Sequence, residues 1–201
     1  MIRHAAWFGL LLCLGMLASP APAPALAAPS TGLPGDSVYQ LDLPLLDQDG
    51  KAVAFASLRG RPRLITMFYS SCPYMCPLII DTARMTEREL DEAQRVKLAV
   101  LMVSFDTERD DPAALKALAE KRKIDTGRWT LARTDAGNVR KLAAILGIQY
   151  RQLDDGDFNH TSVLILLDAE GRVAARSEVM GKTDPAFVDA VRRVLADGAT
   201  H

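Results

Sequence analysis

The stretch Arg63–Pro77 reads RLITMFYSSCPYMCP, and its two halves demand different backbone structures. RLITMFY is a nearly continuous apolar run with β-branched and aromatic members, the pattern of a strand buried on both faces. Pro77 suits the first position of a helix, where its missing N–H costs nothing, so a helix is expected from Pro77 with Cys76 at or near the N-cap. A strand that passes into a helix through Cys72 and Cys76 puts both sulfurs at the carboxyl edge of a sheet, where open α/β folds bind their ligands. Unpaired N–H groups and the positive end of the helix dipole favour thiolate over thiol there. Four residues of helical rise cover about 6 Å, compatible with a disulfide or with two sulfurs on one metal ion.

The flanks carry the same alternation. Upstream, Val38-Tyr39-Gln40-Leu41, a turn at Asp47-Gln48-Asp49-Gly50 and Ala52-Val53-Ala54-Phe55 suggest a lead-in hairpin. Downstream, one helix is expected from Pro77 to about Gln94, a buried strand from Lys97 to Phe105, and a helix opened by Asp111-Pro112 that runs to about Lys123. A short strand at Trp129–Ala132 and a helix at Ala136–Leu146, stopped by Gly147, follow. Strands at Ser162–Asp168 and Val173–Ser177 precede a last helix from Asp184-Pro185 to near Leu195. This order resembles a thioredoxin-like α/β fold: a mixed sheet flanked by helices, with an N-terminal β-hairpin extension.

The 24 Lys+Arg against 25 Asp+Glu give a formal net charge of −1, which argues against nucleic acid as a partner. Hydrophobic residues at 49% and charged residues at 24% fit a globular domain and exclude a disordered tail. Arg3 and His4, followed by the uncharged stretch Ala5–Ala18, read as a signal peptide, since a membrane span needs roughly 17–25 apolar residues. Ala25-Leu26-Ala27 places its cleavage after Ala27, with an uncleaved anchor as the alternative. Leu12 before Cys13 argues against lipidation. Residues 1–27 are thus the expected export signal, 28–34 a linker and 35–197 the folded domain. Cleavage leaves two cysteines, Cys72 and Cys76, and two histidines, His160 and the chain-terminal His201. A disulfide across so short a loop removes little unfolded-state entropy, so chemistry explains the pair better than stapling does.

Dithiol-exchange enzymes of the thioredoxin type have two residues between their cysteines and a cis-proline facing them, just before the strand expected here near Ser162. This chain has three intervening residues, no proline between Pro112 and Pro185, and His160 in the corresponding place. An imidazole facing two sulfurs makes a donor set of two sulfurs and one nitrogen. Soft sulfur suits Cu(I), whereas a structural zinc site requires four protein ligands and calcium or magnesium an oxygen cage.

These residues resemble the Sco/SenC family of copper chaperones for cytochrome c oxidase assembly. The resemblance covers Gly35–Leu195 and rests on three segments: Cys72-Pro73-Tyr74-Met75-Cys76-Pro77, Val103-Ser104-Phe105-Asp106-Thr107-Glu108-Arg109-Asp110, and Asn159-His160-Thr161-Ser162 with Leu166-Leu167-Asp168. It implies one copper ion, Cu(I) or Cu(II), held by Cys72, Cys76 and His160. It also implies a periplasmic protein that delivers copper to the binuclear site of oxidase subunit II or another exported acceptor. A copper donor and a disulfide reductant would act upstream, with no small-molecule substrate and no enzymatic turnover. Two other readings stand beside it: a thiol:disulfide oxidoreductase with Cys72 attacking and Cys76 resolving, and a peroxide-scavenging relative of the same fold.

Asp106, at the carboxyl end of the second buried strand, has two readings of equal weight: partner to a metal ligand, or one of several acids favouring the next helix start. Met75 is either a fourth soft donor or, with Tyr74, part of a partner surface. Lys121-Arg122-Lys123 reads as a solvated helix end, and Met67, Met85, Met102 and Trp129 read as core.

Overall fold

Two adjacent strands whose side chains are all buried fix the frame of the molecule. In the computed structural model, which describes residues 32–197, the lead-in contributes β1 (Pro44–Asp47) and β2 (Ala52–Ala54). The central strand β3 (Arg63–Phe68) is followed by helices α1 (Met75–Arg88) and α2 (Glu92–Lys97), then by β4 (Ala99–Ser104). Next come α3 (Pro112–Lys121), β5 (Trp129–Arg133), α4 (Ala136–Ile145), β6 (Tyr150–Gln152) and β7 (Phe158–His160). The chain closes with β8 (Leu164–Leu167), β9 (Val173–Ser177) and α5 (Pro185–Asp197). The expected export signal, the first part of the linker and His201 lie outside the described residues.

Seven strands form one mixed sheet in the order β2-β1-β5-β4-β3-β8-β9. The strands β3, β4 and β5 run parallel, and β8, β9, β1 and β2 complete the two sides in antiparallel pairings. All six residues of β3 and of β4 are buried, which requires cover on both faces of the sheet. The thioredoxin-like architecture with an added N-terminal hairpin is therefore as expected.

Five local expectations are corrected. Val38–Gln40 is a 3-10 turn and not a strand, and the first hairpin strand is β1. Ser37 caps this turn, its hydroxyl accepting from the Tyr39 N–H at 3.2 Å. The helix expected over Pro77–Gln94 breaks after Arg88, because Asp91 starts α2 with a reciprocal capping box to Gln94. Tyr150–His160 holds a separate two-stranded sheet, β6 with β7, that the apolar pattern does not reveal: its strands are three residues long and largely polar. Finally, Arg122 is no solvated helix end. It donates to Asp81 at 2.8 Å and to the Pro77 carbonyl at 3.4 Å, tying α3 to α1. Met67, Met102 and Trp129 are buried as expected, whereas Met85 is half-buried.

The lead-in is fastened to the β8–β9 turn. The Val38 N–H donates to the Gly171 carbonyl at 2.9 Å, and the Ser37 hydroxyl donates to the Glu170 carbonyl at 2.5 Å. Gly171 has φ +83°, and a Cβ there would lie 2.4 Å from Tyr39 Cδ2. Gly171→Ala combines left-handed strain with overpacking, so it should destabilise the fold by about 2–4 kcal/mol. Thermal unfolding should show a melting temperature lower by roughly 5–15 °C; an unchanged value contradicts this account of the lead-in.

Candidate metal centre

The site begins where β3 ends. Tyr69 leaves the sheet, and the loop to α1 folds back so that the Cys72 N–H reaches the Tyr69 carbonyl at 3.3 Å. Helix α1 starts at Met75, two residues before Pro77, so Cys76 is its second residue. Its N-cap residue, Tyr74, makes no side-chain cap bond. The Cys72 sulfur takes that role instead, accepting from the Cys76 N–H at 3.3 Å. A helix start that would otherwise hold unpaired donors is thus satisfied by a thiolate.

Both cysteines are free thiols, buried, and in contact with each other. The Cys72 pKa is pulled down to about 4, first by the hydrogen bond from the Cys76 thiol, then by the backbone N–H groups of Cys76 and Tyr74 and by the Tyr69 hydroxyl, against the opposing effect of burial. Cys76 is pushed up, first because its proton is held by the Cys72 sulfur and then by burial. The two shifts run in opposite directions, which favours the thiolate at Cys72 and the thiol at Cys76. Tyr69 is pushed up to about 12, first by burial and then by the neighbouring Cys72 sulfur.

Two carboxylates hold the surroundings. Asp110 is fully buried and accepts from the Ser70 N–H at 2.8 Å, from the Ser70 hydroxyl and from the Ser104 hydroxyl, which fastens the cysteine loop to the end of β4. No spacing singles it out in the sequence, although it belongs to the acidic run after Phe105. Asp106, also buried, accepts from the Glu108 and Arg109 N–H groups at 3.3 and 3.0 Å and pairs with the Arg109 guanidinium. Arg109 donates in turn to the Gly156 carbonyl in the β6–β7 turn. Asp106 thus reaches the hairpin through Arg109, while Asp111 caps α3, accepting from the Ala114 N–H at 2.8 Å.

His160 is the last residue of β7, paired with Tyr150 across the hairpin. Its ring lies 5.0 Å from Phe105 and 6.1 Å, edge-on, from Tyr69. Because Tyr69 and Phe105 directly follow β3 and β4, the imidazole stands at the same sheet edge as the sulfurs. Its Nδ1 lies 3.1 Å from the Thr161 carbonyl, so the tautomer protonated there presents a free Nε2 lone pair. The two sulfurs are together and the imidazole is one aromatic ring away. Among the described residues, no three His, Cys, Asp or Glu side chains are yet close enough to share an ion. The expected three-donor set is assembled at one edge but not closed. As chemistry it fits a soft, thiophilic cation. Met75 packs half-buried against the core, while Tyr74 is 79% exposed beside the pair.

A thiolate–thiol pair at the start of a helix on this sheet defines a thioredoxin-like protein with a CxxxC site and a histidine arm. Residues 34–196 match the SCO1/SenC family model, and the chain belongs to the SCO1/SenC family. A curated relative, the SCO1 protein homolog of Bacillus subtilis, is 31% identical over 84 residues, covering 41% of this chain and 42% of that protein. The chain thus aligns with less than half the length of this relative. The structure of Bradyrhizobium japonicum ScoI with copper bound superposes with TM-score 0.62 at 26% identity, covering 76% of this chain and 96% of that one. BsSco, described as a cytochrome c oxidase assembly protein with a disulfide switch, superposes with TM-score 0.65 at 20% identity over 79% and 92% of the two chains, which supports the fold.

The lowered pKa of Cys72 makes a signed prediction. The alkylation rate of a thiol with an ordinary pKa of about 8.5 rises roughly tenfold for each pH unit on the way up to that value. Cys72 is already thiolate above about pH 4. Iodoacetamide should therefore modify the reduced protein first at Cys72, at a rate nearly constant between about pH 6 and 8 and falling only as pH approaches the lowered pKa. Mass spectrometry of the alkylated peptide checks both position and profile, and a rate that climbs steeply across that range contradicts the lowered pKa of Cys72.

Proposed function

We propose that the protein is an exported copper chaperone of cytochrome c oxidase assembly. Cys72, Cys76 and His160 are its donors, it takes one ion per chain, and it passes the ion to the binuclear copper site of subunit II or to another exported copper acceptor. The observation that carries this reading is the paired sulfurs of Cys72 and Cys76 at a helix start, with the His160 imidazole at the same sheet edge. A three-donor, partly open shell holds a soft ion yet leaves a position where an acceptor thiolate can attack. Family membership and the copper-bound relative support the metal, and the leader-like N-terminus supports the periplasm. Among the described residues no helix is long and apolar enough to cross a membrane.

A second reading draws on the asymmetry of the pair. The Cys72 thiolate can attack a substrate disulfide, forming a mixed disulfide and expelling one substrate thiolate. Cys76 then gives up its proton, attacks the Cys72 sulfur and releases the second substrate sulfur, leaving a Cys72–Cys76 disulfide that an external dithiol must reduce. That activity would keep copper-site cysteines reduced.

Copper(I) titration of the reduced protein against a colorimetric chelator separates the two. The chaperone reading expects one tightly held ion per chain, a loss of about 100-fold in affinity for His160→Ala, equivalent to about 2.7 kcal/mol, and no retained binding for Cys72→Ser. If His160→Ala binds as tightly as the parent while disulfide exchange stays fast, the oxidoreductase reading replaces it.

A further inference from the structure

Residues 104–110 touch both halves of the candidate centre. On the sulfur side, Asp110 accepts from the N–H of Ser70, two residues before Cys72, at 2.8 Å and from the Ser104 hydroxyl. Ser104 in turn accepts from the Asp106 N–H at 2.9 Å. On the imidazole side, the buried Asp106 carboxylate pairs with the Arg109 guanidinium, which donates to the Gly156 carbonyl at 2.5 Å. Gly156 turns the β6–β7 hairpin four residues before His160. A continuous run of hydrogen bonds therefore leads from the cysteine loop to the histidine hairpin. The hairpin needs such a hold: among the described residues β6 and β7 pair only with each other, and a two-stranded hairpin is marginal by itself in water. Phe105 stacks on Tyr150 and Phe158 and holds the middle of the hairpin, but apolar packing is non-directional and leaves its tilt open. A cavity of about 270 Å³, lined by Glu108, Val139, Arg140 and Gln152 among others, lies between the hairpin and α4, so close packing does not block a swing on that side. The bond at the turn is directional, and His160 lies about 13 Å along the strand from it, far enough for a small tilt to move the ring.

We propose that Arg109 is the positioning residue of the His160 arm: anchored on the buried Asp106, it fixes the hairpin turn and so holds the imidazole near the sulfurs before any ion arrives. This deepens the copper reading and rests on it. Most ion pairs at a surface are worth little, because two mobile side chains must be ordered to make them. Here Asp106 is already buried and held by the Glu108 and Arg109 N–H groups, so ordering Arg109 also satisfies a buried carboxylate. A ligand arm fixed in place loses less freedom when it closes on an ion, which strengthens binding without any new contact to the ion.

The test compares the parent, Arg109→Met, Arg109→Lys and His160→Ala, and each Arg109 variant combined with His160→Ala, all reduced. In the ion-free protein, the hairpin amides of Leu153 and Thr161 donate to the Asp157 and Gln149 carbonyls. Their hydrogen exchange, read by NMR, should quicken about tenfold in Arg109→Met, while the Val100 amide of β4 keeps the parent rate. Copper(I) affinity should weaken about 3- to 30-fold in Arg109→Met, recover in part in Arg109→Lys, and show no further loss when Arg109→Met is added to His160→Ala. A merely structural arginine would weaken binding equally with and without His160. Unchanged hairpin exchange, equal or tighter copper binding by Arg109→Met, or the same loss in both backgrounds each overturns the proposal. Should Arg109→Met lose its Val100 protection as well, Arg109→Lys, which keeps a cation on Asp106, is read by the same criteria. If His160→Ala binds copper like the parent, the copper-ligand reading fails instead, and the exchange rates still uphold or overturn Arg109 as the hold on the hairpin.

Discussion

One contact organises this site: the Cys76 N–H at the start of α1 donates to the Cys72 sulfur at 3.3 Å. The Cys72 thiolate is stable because it fills the acceptor position at the start of α1, taking the Cys76 N–H where a serine or aspartate side chain would usually serve. The same charge holds the Cys76 proton in place, so the buried pair carries one negative charge instead of two. Two uncompensated thiolates at that depth would repel each other and lack solvation. A soft cation resolves the tension by neutralising both sulfurs, and a disulfide resolves it by removing the charge. The chemistry open to the protein follows from this constraint.

The rest of the fold keeps that pair in register. Covering β3 and β4 on both faces makes the sheet edge rigid, and Asp110 then fastens the cysteine loop to β4 through Ser70 and Ser104. A buried carboxylate bound by three donors is a firm joint, because losing any of them leaves a buried acceptor unpaired. The hairpin with His160 is held differently, by rings and by the Asp106–Arg109–Gly156 chain at its turn. Few of its backbone bonds engage the main sheet. The sulfur side of the centre is therefore tied to the main sheet by hydrogen bonds, and the imidazole side is held mainly by ring packing.

Particular residues show how far sequence patterns reach. The long apolar runs of β3 and β4, the Asp111-Pro112 helix start and the Gly147 stop are local signals, and they sit where the patterns put them. The lead-in fails as a strand because Tyr39 turns inward to accept from Arg63 at 2.9 Å, a contact 24 residues away that no local window contains. The β6–β7 hairpin carries a usable signal, the Asp155-Gly156 pair with Gly156 at φ +85°, but the short polar strands around it hide the alternation that normally confirms a hairpin.

From residues alone came the strand–cysteine–helix edge, the thiolate tendency of a sulfur at a helix start, and the histidine that replaces a proline opposite it. These depend on residue type and on spacing within one or two elements. Only the tertiary structure decided which acids serve the site and how near the imidazole comes, since each depends on burial and on partners far apart in the chain. The role of Asp110 belongs to that second kind: it acts through hydrogen bonds that exist only once the cysteine loop and the end of β4 have met.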